Sequence, residues 1–245
     1  QIIKPDTVNE IVRIAFKYAQ SEKPGAAHID LPCDIAGMEV PDGNATAPIK
    51  QAQKHVEYAD FENIEDAAAL IFKSERPVIL AGHGAVRGNA AKAIRRFSHD
   101  LKIPVVNTMM AKGIVADDSP YSMWTVGLPQ DDYQNVILKE ADLVITIGYD
   151  LVEFAPRKWN ADNNHRIIHI DTRGNHINKL YQPDIEVIGD LSDSLDRILK
   201  RCGRTKENKR FADIKIKMEA EYRSFKDDMS FPMKPQKILY DIRQE

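Results

Sequence analysis

The amino-acid sequence predicts an α/β fold built on a doubly wound parallel sheet, with partial pieces of flanking domains. Short apolar runs of four to six residues stop at Gly or Asp, which is typical of strands buried on both faces of a parallel sheet. Helical periodicities alternate with these runs at the spacing of βαβ units. Ligands of such sheets bind outside the carboxyl ends of the strands, so strand ends are where candidate site residues were sought.

Composition indicates an ordinary globular protein and excludes some classes of partner. The 245 residues are 43% hydrophobic and 29% charged, with a net charge of −3. This balance gives no reason to expect a nucleic acid or an anionic membrane surface as partner. Cys33 and Cys202 match no metal or redox spacing, so we expect free thiols in a reducing compartment and a cytoplasmic location.

The first 60 residues predict the end of one domain and a linker. Residues 5–20 carry an apolar stripe at helical spacing, and Ala26–Leu31 is expected to form a strand that Pro32 closes. A helix and strand with no preceding strand form half a unit, so residues 1–40 are interpreted as the tail of an upstream domain. Residues 41–60 lack a period and are interpreted as a linker. The missing initiator Met and an end inside a helical pattern predict a cut through a longer protein.

Residues 61–203 are expected to form the central domain. The predicted strands are Pro77–Ala81, Val105–Thr108, Leu143–Ile147, Arg166–Ile170 and Glu186–Ile188. The predicted helices are Ile64–Lys73, Asn89–Leu101, Asp131–Lys139 and Ser192–Lys200, with a loop over residues 109–130.

The remaining residues predict a charged helix and the start of a further domain. Residues 204–230 combine one apolar stripe with a linker, and the seven Lys and Arg residues between Arg201 and Lys217 are interpreted as its solvated face. Residues 231–245 begin another helix, with which a third domain would start.

The strongest local motif is the glycine turn Gly82-His83-Gly84, which follows a strand and opens a helix. Its spacing is G-x-G-x-x-x-G, and the second strand ends at Asn107-Thr108 where a ribose-binding acid would be expected, which disfavours a nicotinamide site. A tight strand-to-helix turn is the favoured interpretation, and phosphate binding at the helix start stays open.

Other strand ends supply candidates with two interpretations each. Asp171 would accept hydrogen bonds from a ribose or cap the next helix, and capping is favoured for Asp190. His83 is placed like a functional histidine but also suits an exposed turn residue. The histidines show no metal spacing and no nucleophile–base set is visible, so we assign no catalytic and no metal residue.

Six segments, taken together and in order, resemble the thiamine-diphosphate-dependent enzymes, and most closely the acetolactate synthase group of the catabolic, FAD-independent type. The segments are AAHIDLPCDI, RPVILAGHGAVRGNA, KIPVVNTMMAKGIV, ADLVITIGYDLVEF, RIIHIDTRGNHINKLYQPDIEVIGD and PMKPQKILYDIR. The resemblance implies a Rossmann-like central domain between a pyrimidine-binding and a pyrophosphate-binding domain. It also implies that thiamine diphosphate and Mg²⁺ are held mostly outside this chain, and that the parent enzyme is a homodimer or homotetramer acting on pyruvate.

The resemblance also implies where FAD would lie in the members that carry it. One glycine of the FAD-type turn is replaced by His83, and the segment from Gly148 to Trp159-Asn160 is similar to the FAD-independent members, so we expect FAD binding to be lost. The positions concerned are Gly82, His83, Gly84, Gly148, Asp150, Asp171 and Asp190.

The leading hypothesis is therefore a central-domain fragment that is inactive alone. Its parent would decarboxylate pyruvate and condense the remaining two-carbon unit with a second pyruvate to 2-acetolactate. The alternatives are another thiamine-diphosphate enzyme acting on 2-oxoacids, such as an oxalyl-CoA or benzoylformate decarboxylase, and a free-standing nucleotide-binding regulatory module.

Overall fold

A computed structural model describes residues 1–39, 57–127, 132–176, 178–203 and 208–244. The chain divides into two compact units, Gln1–His55 and Val56–Glu245, and each is described by itself. The predicted linker over residues 41–60 lies almost wholly outside the described residues.

The described part of the first unit, residues 1–39, contains two α-helices, and its predicted strand is wrong. A 3₁₀ turn at Pro5–Thr7 leads into α1 (Val8–Gln20), and α2 (Cys33–Ala36) follows. Ala26–Leu31 forms no strand, because a strand is held by a ladder of hydrogen bonds to a neighbour. Among residues 1–39 only one such bond reaches this stretch, from the Ile2 amide to the Asp30 carbonyl at 2.8 Å.

The second unit is built on a sheet of six parallel strands, which confirms the predicted fold class. The strands are β1 (Pro77–Ala81), β2 (Val105–Asn107), β3 (Ser122–Thr125), β4 (Leu143–Ile147), β5 (Arg166–Asp171) and β6 (Ile185–Ile188). Their order across the sheet is β3-β2-β1-β4-β5-β6. The chain therefore reverses direction across the sheet between β1 and β4, the topological switch point of a doubly wound fold.

Seven helices of the second unit lie among the described residues. They are α3 (Phe61–Lys73), α4 (His83–Arg87), α5 (Ala91–Leu101), α6 (Tyr133–Glu140), α7 (Leu191–Arg201), α8 (Lys209–Ser224) and α9 (Pro235–Gln244). The helix predicted from Asn89 begins two residues later, because Asn89 has φ +51° and interrupts the chain between α4 and α5. Asn tolerates this left-handed conformation better than most residues.

Alternating strand residues build one apolar core on each face of the sheet. On one face Ile79, Ile145 and Ile168 pack with α3, α5 and α7. On the other face Leu80, Val144 and Ile167 pack with α6, α8 and the segment 149–165, which links β4 to β5. That segment contains only one short 3₁₀ turn, Pro156–Lys158, so side chains from an irregular chain cover the sheet where a crossover helix would otherwise lie.

The predicted loop over residues 109–130 contains an edge strand that the sequence pattern did not indicate. β3 is four residues long, only half-buried at its end, and pairs with β2 through an irregular register. A buried strand reads as a continuous apolar run, whereas Ser122-Met123-Trp124-Thr125 mixes polar and apolar residues. Because β3 lies at the edge and pairs with β2 alone, its sequence need not be apolar throughout, and the pattern did not predict a strand.

One lysine contradicts the predicted solvated face of α8. Lys215 is 5% exposed. Its Nζ lies 4.8 Å from the centre of the Trp124 ring, donates to the Asp117 carbonyl at 3.0 Å, and lies 3.6 Å from Glu219. Burial lowers the pKa of Lys215, and Glu219 opposes that change. Residues 204–207, at the predicted start of the helix, lie outside the described residues.

None of the helices in the described ranges is long and apolar enough to cross a membrane. Both cysteines are free, Cys33 exposed and Cys202 half-buried beside the core that α3, α5 and α7 cover.

We expect Cys33 to be alkylated before Cys202. Burial raises the pKa of the Cys202 thiol to about 11. Because the thiolate is the nucleophile, Cys202 should react about 100-fold more slowly at pH 8 than an ordinary cysteine. A time course with iodoacetamide, followed by peptide mass spectrometry, measures both rates. Equal rates in the folded protein would contradict the burial, and equal rates in urea provide the control.

Candidate functional site

The candidate site lies at the carboxyl edge of the sheet, where the chain leaves β1 and β4. The Gly82 amide donates to the Ile147 carbonyl at 2.9 Å, and the Gly84 amide donates to the Gly148 carbonyl at 2.8 Å. The Gly148 amide in turn donates to Ile170 on β5 at 2.9 Å. Three of the predicted positions are thus joined by main-chain hydrogen bonds across the switch point.

The glycines at this edge are needed because two backbones touch. A Cβ on Gly82 would lie 2.5 Å from the Gly148 carbonyl oxygen, and one on Gly148 would lie 2.0 Å from the Ala85 nitrogen. Gly148 also has φ +57°, which side chains disfavour. The glycine turn therefore has the geometry of a tight strand-to-helix turn, the interpretation that the spacing favoured.

Glu153 is an ionisable side chain that bonds to this edge from the segment after β4. The His83 amide donates to both of its carboxylate oxygens, at 3.0 Å each. The Thr108 hydroxyl, fully buried just past β2, donates to Oε2. One half-buried carboxylate therefore joins the start of α4, the end of β2 and the segment after β4. Such contacts suit the free amides at a helix start.

His83 contributes its backbone to this arrangement. Its ring is half-buried, and Nδ1 lies 3.3 Å from the Arg87 guanidinium, which donates to it. Nδ1 of His83 therefore faces Arg87, one turn further along α4. Neither of the two sequence interpretations, functional histidine or exposed turn residue, foresaw that the amide would carry the contact with Glu153.

Each of the three predicted aspartates accepts a hydrogen bond from a backbone amide one to three residues further along the chain. Asp150 Oδ1 accepts from the Val152 amide at 3.1 Å, and Asp171 Oδ1 accepts from the Thr172 amide at 2.6 Å. No helix follows Asp171 over residues 172–176, so the capping alternative for it is wrong. Asp190 caps α7 by accepting from the Asp193 amide at 2.8 Å, as favoured from the sequence.

An aromatic cluster orders the segment that carries Glu153. Trp159 is 1% exposed, and its ring centre lies 6.3 Å from those of Tyr149 and Tyr181. The Tyr149 hydroxyl donates to the Phe154 carbonyl and accepts from Trp159 Nε1 at 3.4 Å. Burial raises the pKa of the Tyr149 phenol well above its usual range. The cluster fixes the position of the chain on both sides of Glu153.

A buried polar chain extends from this cluster to β4 and β5. His169 Nε2 lies 3.1 Å from the Arg173 carbonyl, and this contact requires a proton on Nε2. Nδ1 is then the acceptor for the Tyr181 hydroxyl at 2.8 Å, while the Thr146 hydroxyl lies 2.6 Å from Tyr181. Burial also raises the pKa of the Tyr181 phenol. Every group here has a partner, which indicates a structural role.

Sequence reasoning missed Glu153, Thr108 and the Tyr181–His169 pair as members of this edge. Glu153 sits between Val152 and Phe154 and ends no strand, so a search of strand ends does not find it. Over the described ranges, no three His, Cys, Asp or Glu side chains are arranged to hold a metal ion. The edge offers close backbone packing and a bonded carboxylate.

Comparison with known proteins places this architecture in a family. Residues 64–198 match the family model described as the thiamine pyrophosphate enzyme central domain. The chain is 33% identical to a probable acetolactate synthase large subunit of Methanocaldococcus jannaschii, over 100% of this chain and 42% of that protein. It is 32% identical to an acetolactate synthase of Bacillus subtilis, over 95% of this chain and 42% of the relative.

A third relative has a name that indicates a different activity. The chain is 28% identical to a glyoxylate carboligase of Escherichia coli O157:H7, over 97% of this chain and 41% of that protein. The chain therefore spans about two fifths of the length of the curated relatives it matches.

We expect Gly148→Ala to lower the unfolding free energy of the domain far more than a matched Gly→Ala change elsewhere. Strain at positive φ alone costs about 1 kcal/mol, and the clash with Ala85 should bring the loss of unfolding free energy to about 3 kcal/mol. Gly113→Ala is the control, since Gly113 has φ +87° but nothing within 4 Å of an added Cβ. Urea denaturation measures both, and equal losses would show that the backbones do not touch.

Tyr181→Phe should lower the unfolding free energy by about 2 kcal/mol, because it removes the buried hydroxyl that lies between His169 Nδ1 and the Thr146 hydroxyl. Tyr133→Phe removes a hydroxyl that donates to Glu221 at the surface, at 2.8 Å, and should cost much less than the buried change. Thermal and urea unfolding of the two variants provide the comparison. A loss of similar size in both would argue against the buried chain.

Proposed function

Because the chain belongs to the thiamine pyrophosphate enzymes, whose central domain it carries, we propose that its parent is an acetolactate synthase. The observation that carries this proposal is the similarity to two acetolactate synthases of different organisms along 95–100% of the chain. The free-standing regulatory module is not favoured, since a match of this extent is to a segment of longer enzymes. The chain itself would be the middle part of the enzyme.

The proposed reaction joins two molecules of pyruvate. CO₂ leaves one pyruvate, and the remaining two-carbon unit bonds to the keto carbon of the second, with uptake of one proton, to form 2-acetolactate. Thiamine diphosphate, when bound, supplies the electron sink for the decarboxylation, and the protein supplies binding and orientation. We assign no catalytic residue to this chain.

Thiamine diphosphate and Mg²⁺ would be held mostly by parts of the parent outside this chain. In support, the chain spans only 42% of the length of each of two acetolactate synthases that it matches. Residues 1–40 would end the pyrimidine-binding domain and residues 231–245 would begin the pyrophosphate-binding domain, with a linker over 41–60 and a charged helix and linker over 204–230. The fragment alone is expected to be inactive.

Assembly and location follow from the same proposal. The parent would be a homodimer or homotetramer, as the family resemblance implies, and would work in the cytoplasm, where two free cysteines remain reduced. Neither a nucleic acid nor a membrane is expected as partner, given the near-neutral charge.

A glyoxylate carboligase is the second candidate, supported by the relative that is 28% identical over 97% of the chain. Both candidates decarboxylate a 2-oxoacid and form a carbon–carbon bond. They differ in whether pyruvate or glyoxylate is the donor.

The test is a product assay on the full-length parent supplied with thiamine diphosphate and Mg²⁺. Pyruvate should be converted to 2-acetolactate, and turnover should stop when either cofactor is omitted, because the electron sink is then missing or unanchored. The 245-residue chain under the same conditions should give no product.

Two results would contradict the proposal. Consumption of glyoxylate but not pyruvate would favour the carboligase. Turnover by the 245-residue chain alone would show that it carries catalytic groups of its own. An assay with both substrates in parallel, monitored by product mass, separates these outcomes.

A further inference from the structure

We propose that the switch-point crevice of this domain is closed by its own chain, with the Glu153 carboxylate taking the donors that a dinucleotide would use. The consequence is that the central domain does not bind FAD. This inference concerns ligand binding and stability alone, and it does not depend on which reaction the parent carries out.

The topology defines where a dinucleotide would have to bind. In a sheet of order 3-2-1-4-5-6 the ligand lies across the crevice between β1 and β4, with its diphosphate against the turn after β1. In this chain that turn is Gly82-His83-Gly84. The test of fit is therefore whether the amides and faces of this turn are open to a ligand.

Backbone contacts from the chain after β4 occupy the amide of Gly84 and the space beside Gly82. A dinucleotide turn uses its second glycine so that the diphosphate can approach the main chain. Here the Gly84 amide is already bonded to the Gly148 carbonyl at 2.8 Å. The side of Gly82 where a Cβ would stand is covered by Gly148 O at 2.5 Å and Tyr149 Cα at 2.6 Å. The space that glycine leaves is filled by the chain after β4.

The Glu153 carboxylate occupies two further donors, the His83 amide and the Thr108 hydroxyl. It accepts the His83 amide through both oxygens, and it accepts the hydroxyl of Thr108, at the end of the strand where a ribose-binding acid would be expected. A diphosphate brought to this point would meet a negative charge in place of free donors. Charge repulsion and the loss of existing hydrogen bonds both oppose binding.

The neighbouring acids are also engaged with their own loops. Asp171 Oδ1 accepts the amide and hydroxyl of Thr172, and Asp190 caps α7. An adenosine ribose would have to compete with these bonds. The residues that the family resemblance marks as flavin positions thus do not fit the group in this chain.

The direct test is calorimetric titration of the purified 245-residue chain with FAD and, separately, with ADP. We expect no binding heat up to about 1 mM ligand and no flavin absorbance after purification, because the His83 and Gly84 amides and the Thr108 hydroxyl are already bonded within the chain. Micromolar binding of either ligand, or a yellow protein with a flavin spectrum, would overturn the proposal.

The role of Glu153 itself is tested with Glu153→Ala and Glu153→Gln, against Glu75→Gln as control. Glu75 is exposed, and its bonds with Asp142 and Asn208 use only its backbone. Glu153→Ala should lower Tm by about 5 °C relative to the control, since hydrogen bonds to a charged group are lost. Glu153→Gln should fall between them, because its amide oxygen still accepts from His83.

Amide hydrogen exchange gives a site-specific reading of the same contact. The His83 amide should be protected in the wild-type chain and exchange at least about tenfold faster in Glu153→Ala, which removes the acceptor, with Glu153→Gln between the two. A wild-type His83 amide that exchanges at the rate of an exposed loop would overturn the proposal. So would a Glu153→Ala variant with the Tm of the control.

Discussion

The contact between Gly84 and Gly148 is the constraint on which the carboxyl edge of this sheet depends. The two glycines belong to turns on either side of the switch point, and a hydrogen bond of 2.8 Å joins their backbones. Because no side chain intervenes, β1 and β4 can end at the same level and the chain after β4 can lie directly over the turn after β1. That placement brings Glu153 within reach of His83 and Thr108.

Much of the fold could be predicted from the sequence, because buried parallel strands are apolar along their whole length. Pro77–Ala81 and Leu143–Ile147 were predicted at the bounds that the structure has. The failures concern strands whose existence depends on neighbours. β3 is short and mixed because it lies at an edge, whereas Ala26–Leu31 has a strand-like composition but no partner within residues 1–39.

The site was predictable in location but only partly in its residues. Glycine and aspartate at strand ends are visible in a sequence, and the glycines do meet at the switch point. Glu153 was not visible because its role depends on the path of the segment 149–165, which Trp159 and Tyr149 fix through buried aromatic contacts. Local patterns carry no information about where an irregular segment returns to the sheet.

The burial of Lys215 has a consequence for how α8 can sit. An α-helix turns by about 100° per residue, so a rotation by one position would remove the ammonium group from Trp124 and the Asp117 carbonyl. It would also move Ile216, now 65% exposed, toward a site shaped for a cation. Apolar residues alone would tolerate several orientations of the helix. A single desolvated charge with fixed partners favours one orientation, so Lys215 fixes the rotation of α8 about its own axis and therefore which of its side chains face inward.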